Sequence, residues 1–201
     1  MLSNIAFDLD GVLYNWHLAV HTYLRVYKGI KESFEEFWRN PFELLSVDEI
    51  KYIATVPELY EKFIPSKDLL DMLHNLSEEY TLYYLTNRPI SVENLTSRWL
   101  KRYGFPQDDN LIFTTDKGKY IRLLGIDLIA EDGGHDGKIA ISLKGLTDVI
   151  LIRRPWNEKV WNQFITIGSV LELPKLIDEL YNKDYEDLLI TQRESMDIST
   201  Q

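Results

Sequence analysis

Asp8 and Asp10 stand two residues apart directly after the apolar run 5–7, and Gly11 follows them. Such a run predicts a buried strand, and open parallel sheets bind their ligands outside the carboxyl ends of the strands. Two carboxylates so close together stay charged at low cost only with a cation beside them, and aspartate is a competent nucleophile toward phosphorus. For this pair alone an Asp-rich turn is the alternative, because Asp and Gly are ordinary turn residues.

Polar side chains also follow the apolar runs 81–85 and 127–130, and a lysine precedes a helix predicted at 119–124. Taken singly, each has a structural explanation as a strand-end hydroxyl, a solvated lysine or an acidic turn. Because the carboxyl ends of parallel strands meet at one edge of a sheet, we expect these side chains to converge there. In chain order they are Thr86, Asn87, Arg88, Lys117, Glu131, Asp132 and, four residues further on, Asp136.

This collection of carboxylates, a hydroxyl and a lysine matches what phosphoryl transfer through a covalent carboxyl-phosphate requires. Mg²⁺ prefers oxygen ligands and is usually held by one or two carboxylates together with phosphate and water, which Asp8 and Asp132 can provide for. Thr86, Lys117 and backbone N–H groups can donate to the equatorial oxygens of a transferring phosphoryl group. The residues therefore predict a Mg²⁺-dependent phosphoryl-transfer site.

Short apolar strands alternate with helical segments along the chain, which predicts an α/β fold: a parallel sheet with helices on both faces. A plain crossover takes roughly 30 residues, whereas about 70 separate the first two strands, and the excess shows helical spacing of its aromatic residues. We therefore predict a small helical cap inserted after the first strand. The expected divisions are a core at 1–13 and 66–181, the cap at 14–65 and a polar tail at 182–201.

Composition limits the classes of function that fit. The chain has 201 residues, 45% of them hydrophobic, which is enough for one core with a small appended unit. No cysteine is present, which excludes disulfides and thiolate-metal sites. The net charge of −10 makes nucleic acid an unlikely partner, and no apolar run is long enough to span a membrane. A cytoplasmic location is the default expectation.

Four segments in order resemble the motifs of the haloacid dehalogenase-like phosphohydrolases: Phe7-Asp8-Leu9-Asp10-Gly11-Val12, Leu85-Thr86-Asn87, Lys117 and Glu131-Asp132. The resemblance implies a Rossmann-like core with an inserted cap, and Mg²⁺ as the cofactor. It implies that Asp8 is the nucleophile that forms an aspartyl-phosphate. Asp10 is then the residue that protonates the leaving alcohol and later accepts a proton from water.

The same resemblance implies roles for the remaining motif residues. Thr86, Asn87 and Lys117 are expected to bind the phosphoryl group. Lys119 is a rival for the lysine role, and we favour Lys117 because it is predicted to lie before the helix rather than within it. The expected ligands of Mg²⁺ are Asp8, the backbone carbonyl of Asp10, and Asp132, with Glu131 and Asp136 as supports in the outer sphere.

A narrower resemblance is to the 5'(3')-deoxyribonucleotidases. It is carried by the aromatic-rich cap, by Thr115-Asp116-Lys117 and by Arg154-Pro155-Trp156-Asn157. The second motif departs from that family in reading Thr-Asn-Arg-Pro, and the fourth departs in beginning with Glu. The expected substrate is a (deoxy)nucleoside monophosphate. The alternatives are another small ester such as a sugar phosphate, a polynucleotide 3' end, or a binding module without turnover.

Substrate selection is expected to fall to the cap and the edge of the sheet. Nucleobases stack on aromatic rings, so Trp16, five residues beyond Gly11, is the first candidate for such a contact. Arg88 can meet a phosphate oxygen or a sugar hydroxyl. The alternatives are that the cap aromatics fill its core and that Arg88 forms a structural salt bridge; a homodimer is left open. The other aromatic candidates are Tyr14, Phe34, Trp38 and Phe42.

Overall fold

The computed structural model describes residues 2–39, 45–61 and 63–182. Phe42 and residues 183–201 of the predicted tail lie outside the described residues. Six parallel strands form one sheet in the order β3-β2-β1-β4-β5-β6, which confirms the predicted α/β fold. The strands are β1 (Asn4–Phe7), β2 (Thr81–Thr86), β3 (Leu111–Phe113), β4 (Leu128–Glu131), β5 (Asp148–Ile152) and β6 (Ile165–Ile167).

β1 lies inside the sheet, between β2 on one side and β4 on the other. The chain adds β2 and β3 on the first side and then returns to add β4, β5 and β6 on the second. The order therefore reverses beside β1, and this switch point is where open α/β sheets form ligand crevices.

Helices connect the strands. Between β1 and β2 the described residues form five helices, of which the first four occupy the region predicted to be a cap. In chain order the helices are α1 (Trp16–Tyr27), α2 (Phe34–Arg39), α3 (Val47–Ile53), α4 (Glu58–Glu61), α5 (Lys67–Glu79), α6 (Glu93–Tyr103), α7 (Lys117–Leu124), α8 (Lys138–Leu143) and α9 (Leu173–Ile177).

Alternating strand residues enter different apolar clusters, so both faces of the sheet are covered. Ile5 and Phe7 pack in the larger cluster together with residues of α1, α2, α5, α6 and α9. Ala6 packs in the second cluster, with Ile121 of α7 and Leu143 of α8. The first four helices thus share one continuous core with one face of the sheet.

Local sequence explains several helix ends. Ser46 and Glu49 form a capping box at the start of α3, and Gly104 ends α6 in the left-handed conformation with φ 70°. A 3₁₀ turn at Ile90–Val92 precedes α6. One predicted boundary was wrong. The helix predicted at 119–124 begins earlier, at Lys117.

At the C-terminal end of the described chain, α9 ends at Ile177 and one π-helical turn continues it at Asp178–Asn182. Within the described residues, none of the helices combines the length and apolar character needed to cross a bilayer.

Candidate active site

The carboxyl ends of β1, β2 and β4 bring the predicted residues to one edge of the sheet. Asp8 follows β1 and its backbone N–H donates to the carbonyl of Ala130 in β4 at 2.9 Å. Thr86 is the last residue of β2, and Glu131 is the last residue of β4. This edge lies at the switch point of the sheet, as the strand-end rule predicts.

Lys117 lies between two carboxylates. Its Nζ donates to Asp8 Oδ1 and to Glu131 Oε2, both at 2.6 Å. The three side chains are almost inaccessible, with exposed fractions of 2% for Lys117, 9% for Asp8 and 0% for Glu131. Asp116 caps the N-terminus of α7 by accepting from the Lys119 N–H, and this places Lys117 in the first turn, pointing into the pocket.

The pocket contains more negative than positive charge. Asp8, Glu131 and Asp132 are buried around the single ammonium of Lys117. Burial raises the pKa of Asp8, Glu131 adds to that effect and Lys117 opposes it. Burial, with a contribution from Glu131, likewise raises the pKa of Asp132 to about 7. A further cation would let these carboxylates stay ionised.

The same carboxylates can hold a divalent cation. One ligand atom from each of Asp8, Glu131 and Asp132 lies within 4.8 Å of the others. Both oxygens of Glu131 already accept hydrogen bonds, from Lys117 Nζ and from the Gly133 N–H at 3.1 Å. Oxygen donors in a negatively charged pocket fit Mg²⁺, so the three carboxylates form a candidate metal site.

Burial has the opposite intrinsic effect on Lys117. It would lower the pKa of the ammonium, but the adjacent Asp8 and Glu131 outweigh this and raise the pKa. Lys117 is therefore a fixed positive charge against the Asp8 carboxylate. Lys119, the rival for this role, is exposed on the same helix, with its amine over the ring of Tyr120 at 5.7 Å.

Asp132 is held from several directions. Its Oδ1 accepts from the Gly134 N–H at 2.9 Å, and its Oδ2 accepts from Trp156 Nε1 at 3.0 Å. Asn157 Nδ2 donates to its backbone carbonyl at 2.6 Å. Gly11, with φ +85°, packs so closely that a Cβ there would lie 2.2 Å from Asp132 Oδ2. These contacts fix the orientation of a candidate metal ligand.

Asp10 is paired with Arg88. The guanidinium donates through Nε to Asp10 Oδ2 at 2.9 Å and through Nη2 to Asp10 Oδ1 at 2.6 Å. The Arg88 side chain is 1% exposed and that of Asp10 is 22% exposed. The contacts of Arg88 therefore agree with the alternative interpretation, that it forms a salt bridge. The charged end of the side chain does not face solvent.

Thr86 and Asn87 occupy the edge near Lys117. Thr86 is buried, and its Oγ1 accepts from the Arg88 N–H at 3.2 Å, which leaves the hydroxyl hydrogen to be donated elsewhere. Asn87, Thr115 and Lys117 line one polar depression of about 260 Å³. These positions are compatible with hydrogen bonding to a phosphoryl group above Asp8.

Asp136 lies apart from this cluster, and Trp16 is buried in the helical region. Asp136 pairs with Lys159 at 2.8 Å and with His135 at 3.2 Å, outside the group of three carboxylates. Trp16 is 8% exposed and lies against the rings of His17 and Trp38, at centroid distances of 5.4 and 6.2 Å.

No role was predicted for the individual residues of the segment after β5, 154–157. Arg154 Nε donates to the Gly11 carbonyl at 2.8 Å, and Trp156 and Asn157 support Asp132. The signal was present, because this segment also follows the carboxyl end of a parallel strand. Only the fold reveals that it supports the loop after β1 and the end of β4.

No protein-family model matches the chain. A nucleotidase of Clostridium acetobutylicum is 26% identical over 193 residues, which cover 90% of this chain and 96% of the relative. A relative from Halalkalibacterium halodurans, whose name also includes the word nucleotidase, is 28% identical over 132 residues, or 65% of this chain and 61% of its own length.

Solved structures share the architecture. A haloacid dehalogenase-like hydrolase of Streptococcus pneumoniae has a TM-score of 0.62 and 18% identity, covering 88% of this chain and 98% of its own. A related hydrolase of Deinococcus radiodurans, with bound phosphate and sodium, has a TM-score of 0.57 and 14% identity, covering 89% and 96%. An L-2-haloacid dehalogenase of Xanthobacter autotrophicus has a TM-score of 0.52 and 13% identity, covering 90% of this chain and 100% of its own. At such identities the likeness identifies the fold alone.

Proposed function

We propose that this chain, which has the haloacid dehalogenase-like fold, is a Mg²⁺-dependent phosphomonoesterase acting on a small nucleotide. One observation carries the proposal: Lys117 bridges Asp8 and Glu131 at 2.6 Å, and Asp132 completes a buried carboxylate group within 4.8 Å. A buried nucleophilic carboxylate needs cations beside it to remain ionised; Lys117 is one, and Mg²⁺ would be the second.

In the first step an Asp8 oxygen attacks phosphorus, the bond to the leaving oxygen breaks, and Asp10 gives that oxygen a proton. The products are an aspartyl-phosphate and an alcohol. Thr86, Asn87 and Lys117 hydrogen-bond the phosphoryl oxygens and hold them in place. Asp8, Asp132 and the Asp10 carbonyl would hold Mg²⁺, which when bound would neutralise charge on the phosphate and on the carboxylates.

In the second step water attacks the phosphorus of the aspartyl-phosphate, and Asp10 accepts the proton from that water. The bond between phosphorus and Asp8 breaks, which releases inorganic phosphate and restores the Asp8 carboxylate. Asp10 therefore ends the cycle protonated, as it began. A single carboxyl serves both steps because the leaving oxygen and the attacking water occupy the same side of phosphorus.

A nucleoside monophosphate is the favoured substrate for two reasons. The Clostridium relative, which aligns over almost its whole length, is named a nucleotidase. Aromatic rings also lie next to Asp132: Trp156 donates to its carboxylate, and His17, from the region between β1 and α5, stacks on Trp156 at a centroid distance of 3.8 Å. The net charge of −10 disfavours a polynucleotide, and a sugar phosphate is the main competing ester.

Dehalogenation is the competing reaction within this fold. A halide leaves as a stable anion and needs no proton, whereas an alcohol leaving from a phosphate ester does. The second carboxylate, Asp10, therefore favours phosphate esters. Chloride release from 2-chloropropionate, measured beside phosphate release, separates the two reactions.

The test is phosphate release from a panel of nucleoside monophosphates and sugar phosphates, with Mg²⁺ and with a chelator. We expect turnover that needs Mg²⁺, and at least about a 10³-fold loss of kcat in Asp8→Asn, because the nucleophile is removed. The matched control is Asp109→Asn, at an exposed aspartate, which should keep wild-type rates. Absence of phosphate release from every ester, with Asp8→Asn indistinguishable from wild type, would refute the proposal.

A further inference from the structure

Arg88 is a buried cation that the reaction scheme above does not use. Its side chain is 1% exposed, and it reaches across from the end of β2 to the loop after β1. Two of its nitrogens donate to the two oxygens of Asp10, at 2.9 and 2.6 Å. This paired geometry fixes the plane of the carboxylate as well as its position.

The surroundings of Arg88 hold its own orientation. Nη1 donates to Thr96 Oγ1 at 3.1 Å, and Thr96 in turn donates to the Val92 carbonyl at 3.0 Å. The rings of Tyr14 and Tyr60 lie over the guanidinium, with centroids 4.7 and 4.6 Å from its central carbon. These contacts restrict the guanidinium of Arg88 from several directions, and its side chain is almost inaccessible to solvent.

Tyr60 links this arrangement to the inserted helices. It belongs to α4, and its hydroxyl donates to the Ala54 carbonyl at 2.7 Å. Tyr14 lies in the loop after β1, and its hydroxyl donates to the Leu59 carbonyl. The orientation of Asp10 is thereby tied to the packing of α4 as well as to the sheet.

We propose that Arg88 is a positioning residue that aims the Asp10 carboxyl at the leaving oxygen of the substrate. The proposal rests on the proposed function. A carboxylate has about four lone-pair sites, of which the arginine fork takes two, so the others remain for proton exchange. The Asp10 side chain keeps an exposed fraction of 22%, so it is not fully enclosed by the arginine fork.

Lysine cannot replace arginine in this role. Its ammonium keeps the charge but acts as a single point, so Asp10 would keep an ionic partner and lose its fixed plane. Arg88→Lys should therefore impair the transfer of a proton more than the attack by Asp8. The two effects separate when leaving groups differ in their need for a proton.

The experiment measures kcat/KM of the full chain with Mg²⁺ on a deoxynucleoside 5'-monophosphate and on p-nitrophenyl phosphate. The sugar alkoxide needs a proton to leave, whereas p-nitrophenolate does not, and kcat/KM excludes the later hydrolysis of the aspartyl-phosphate. Because general acid catalysis contributes about 10²–10⁴-fold, we expect Arg88→Lys to lose about tenfold or more on the nucleotide and less than about threefold on the aryl ester.

A second comparison asks whether Arg88 acts through Asp10. In an Asp10→Asn background, Arg88→Lys should lower nucleotide turnover by less than about twofold, because residues acting as a unit are not additive. Arg98→Lys, an exposed arginine on α6, is the matched control and should leave both rates unchanged. Thr96→Val removes the hydroxyl that accepts from Arg88 Nη1 and donates to the Val92 carbonyl, and it leaves both hydrogen bonds between Arg88 and Asp10 in place. If Arg88→Lys does not fold, we expect Thr96→Val to show the same difference between the two substrates, with a smaller loss on the nucleotide.

The outcomes are distinct. Equal losses on both substrates, or full additivity with Asp10→Asn, would overturn the positioning role and leave Arg88 as a structural ion pair. If wild type released phosphate from neither ester, the proposed function would fail first. Loss confined to the nucleotide, and absent in the Asp10→Asn background, supports the proposal.

Discussion

Replacing Lys117 by Met tests whether the buried charge pattern of the pocket is real. Methionine keeps the length and apolar stem of lysine and removes only the ammonium. Both ion pairs measure 2.6 Å, and the side chains of the three partners are at most 9% exposed. They therefore belong with buried pairs, whose disruption costs about 3–5 kcal/mol, and not with surface pairs worth about 0–1 kcal/mol.

The expected loss is about 3–5 kcal/mol of unfolding free energy at pH 8, a large share of the 5–15 kcal/mol of a typical domain. Without the ammonium, the carboxylates of Asp8 and Glu131 lose the cation they share, so the pKa of Asp8, which burial already raises, rises further. Protonation then relieves the repulsion below neutral pH. The penalty should therefore shrink as the pH falls from 8 to 5.

Urea unfolding followed by tryptophan fluorescence measures this loss, with a chelator present so that bound metal does not mask it. Lys119→Met is the matched control, because Lys119 is exposed on the same helix, and its change should stay within about 0.5 kcal/mol. Equal stabilities of the two variants at pH 8 would show that Lys117 does not bridge buried carboxylates, and the site described above would be incorrect.

Three other predictions concern neighbours of the pocket. Gly11→Ala should abolish turnover and destabilise more than Gly29→Ala in thermal melts, since both glycines have positive φ but only at Gly11 would a Cβ meet Asp132, at 2.2 Å. Burial lowers the pKa of His17 to about 3, so below pH 6.5 the unfolded chain takes up a proton that the folded chain does not, and stability falls; His17→Phe should remove about 1–2 kcal/mol of the stability change between pH 7 and 5. Trp156→Phe, which loses the N–H donor to Asp132, should weaken Mg²⁺ binding about 10–100-fold in calorimetric titrations.

Each of these three has a contradicting result. Equal melting temperatures of the two alanine variants would mean that Gly11 does not pack against Asp132. An unchanged pH dependence in His17→Phe would place the imidazole in water. Wild-type Mg²⁺ affinity in Trp156→Phe, with Trp99→Phe as a control that loses an indole bond to the Phe63 carbonyl instead, would deny the indole a role at the metal site.

The convergence of the motif residues was predictable because it follows from a local rule. Asp8, Thr86 and Glu131 each come at the carboxyl end of an apolar run, and parallel strands bring such ends to one edge. Lys117 was also identified, although for an incorrect reason. It was expected to lie before the helix, whereas α7 begins at Lys117. Gly118 disfavours a helix at this point, but Asp116 caps the first turn. A glycine also leaves room for Leu146, which lies 3.1 Å from where a Cβ would be.

The partners of Arg88 and Trp156 were beyond sequence reasoning. Arg88 pairs with Asp10, 78 residues away, and Trp156 donates to Asp132, 24 residues away. Nothing in the neighbouring residues indicates which of several acids each side chain will meet. The choice depends on how the loops cross the edge of the sheet, which only the assembled fold determines.

The interior position of β1 has a consequence for biosynthesis. Asn4 pairs with Thr81 and Ile5 pairs with Leu128, so both neighbours of the first strand are translated long after it. Until then its apolar residues have no sheet to join, and pairing over such separations slows folding and favours aggregation. A ribosome-bound fragment ending before residue 128 should therefore depend on chaperones, and should become independent of them once β4 has emerged.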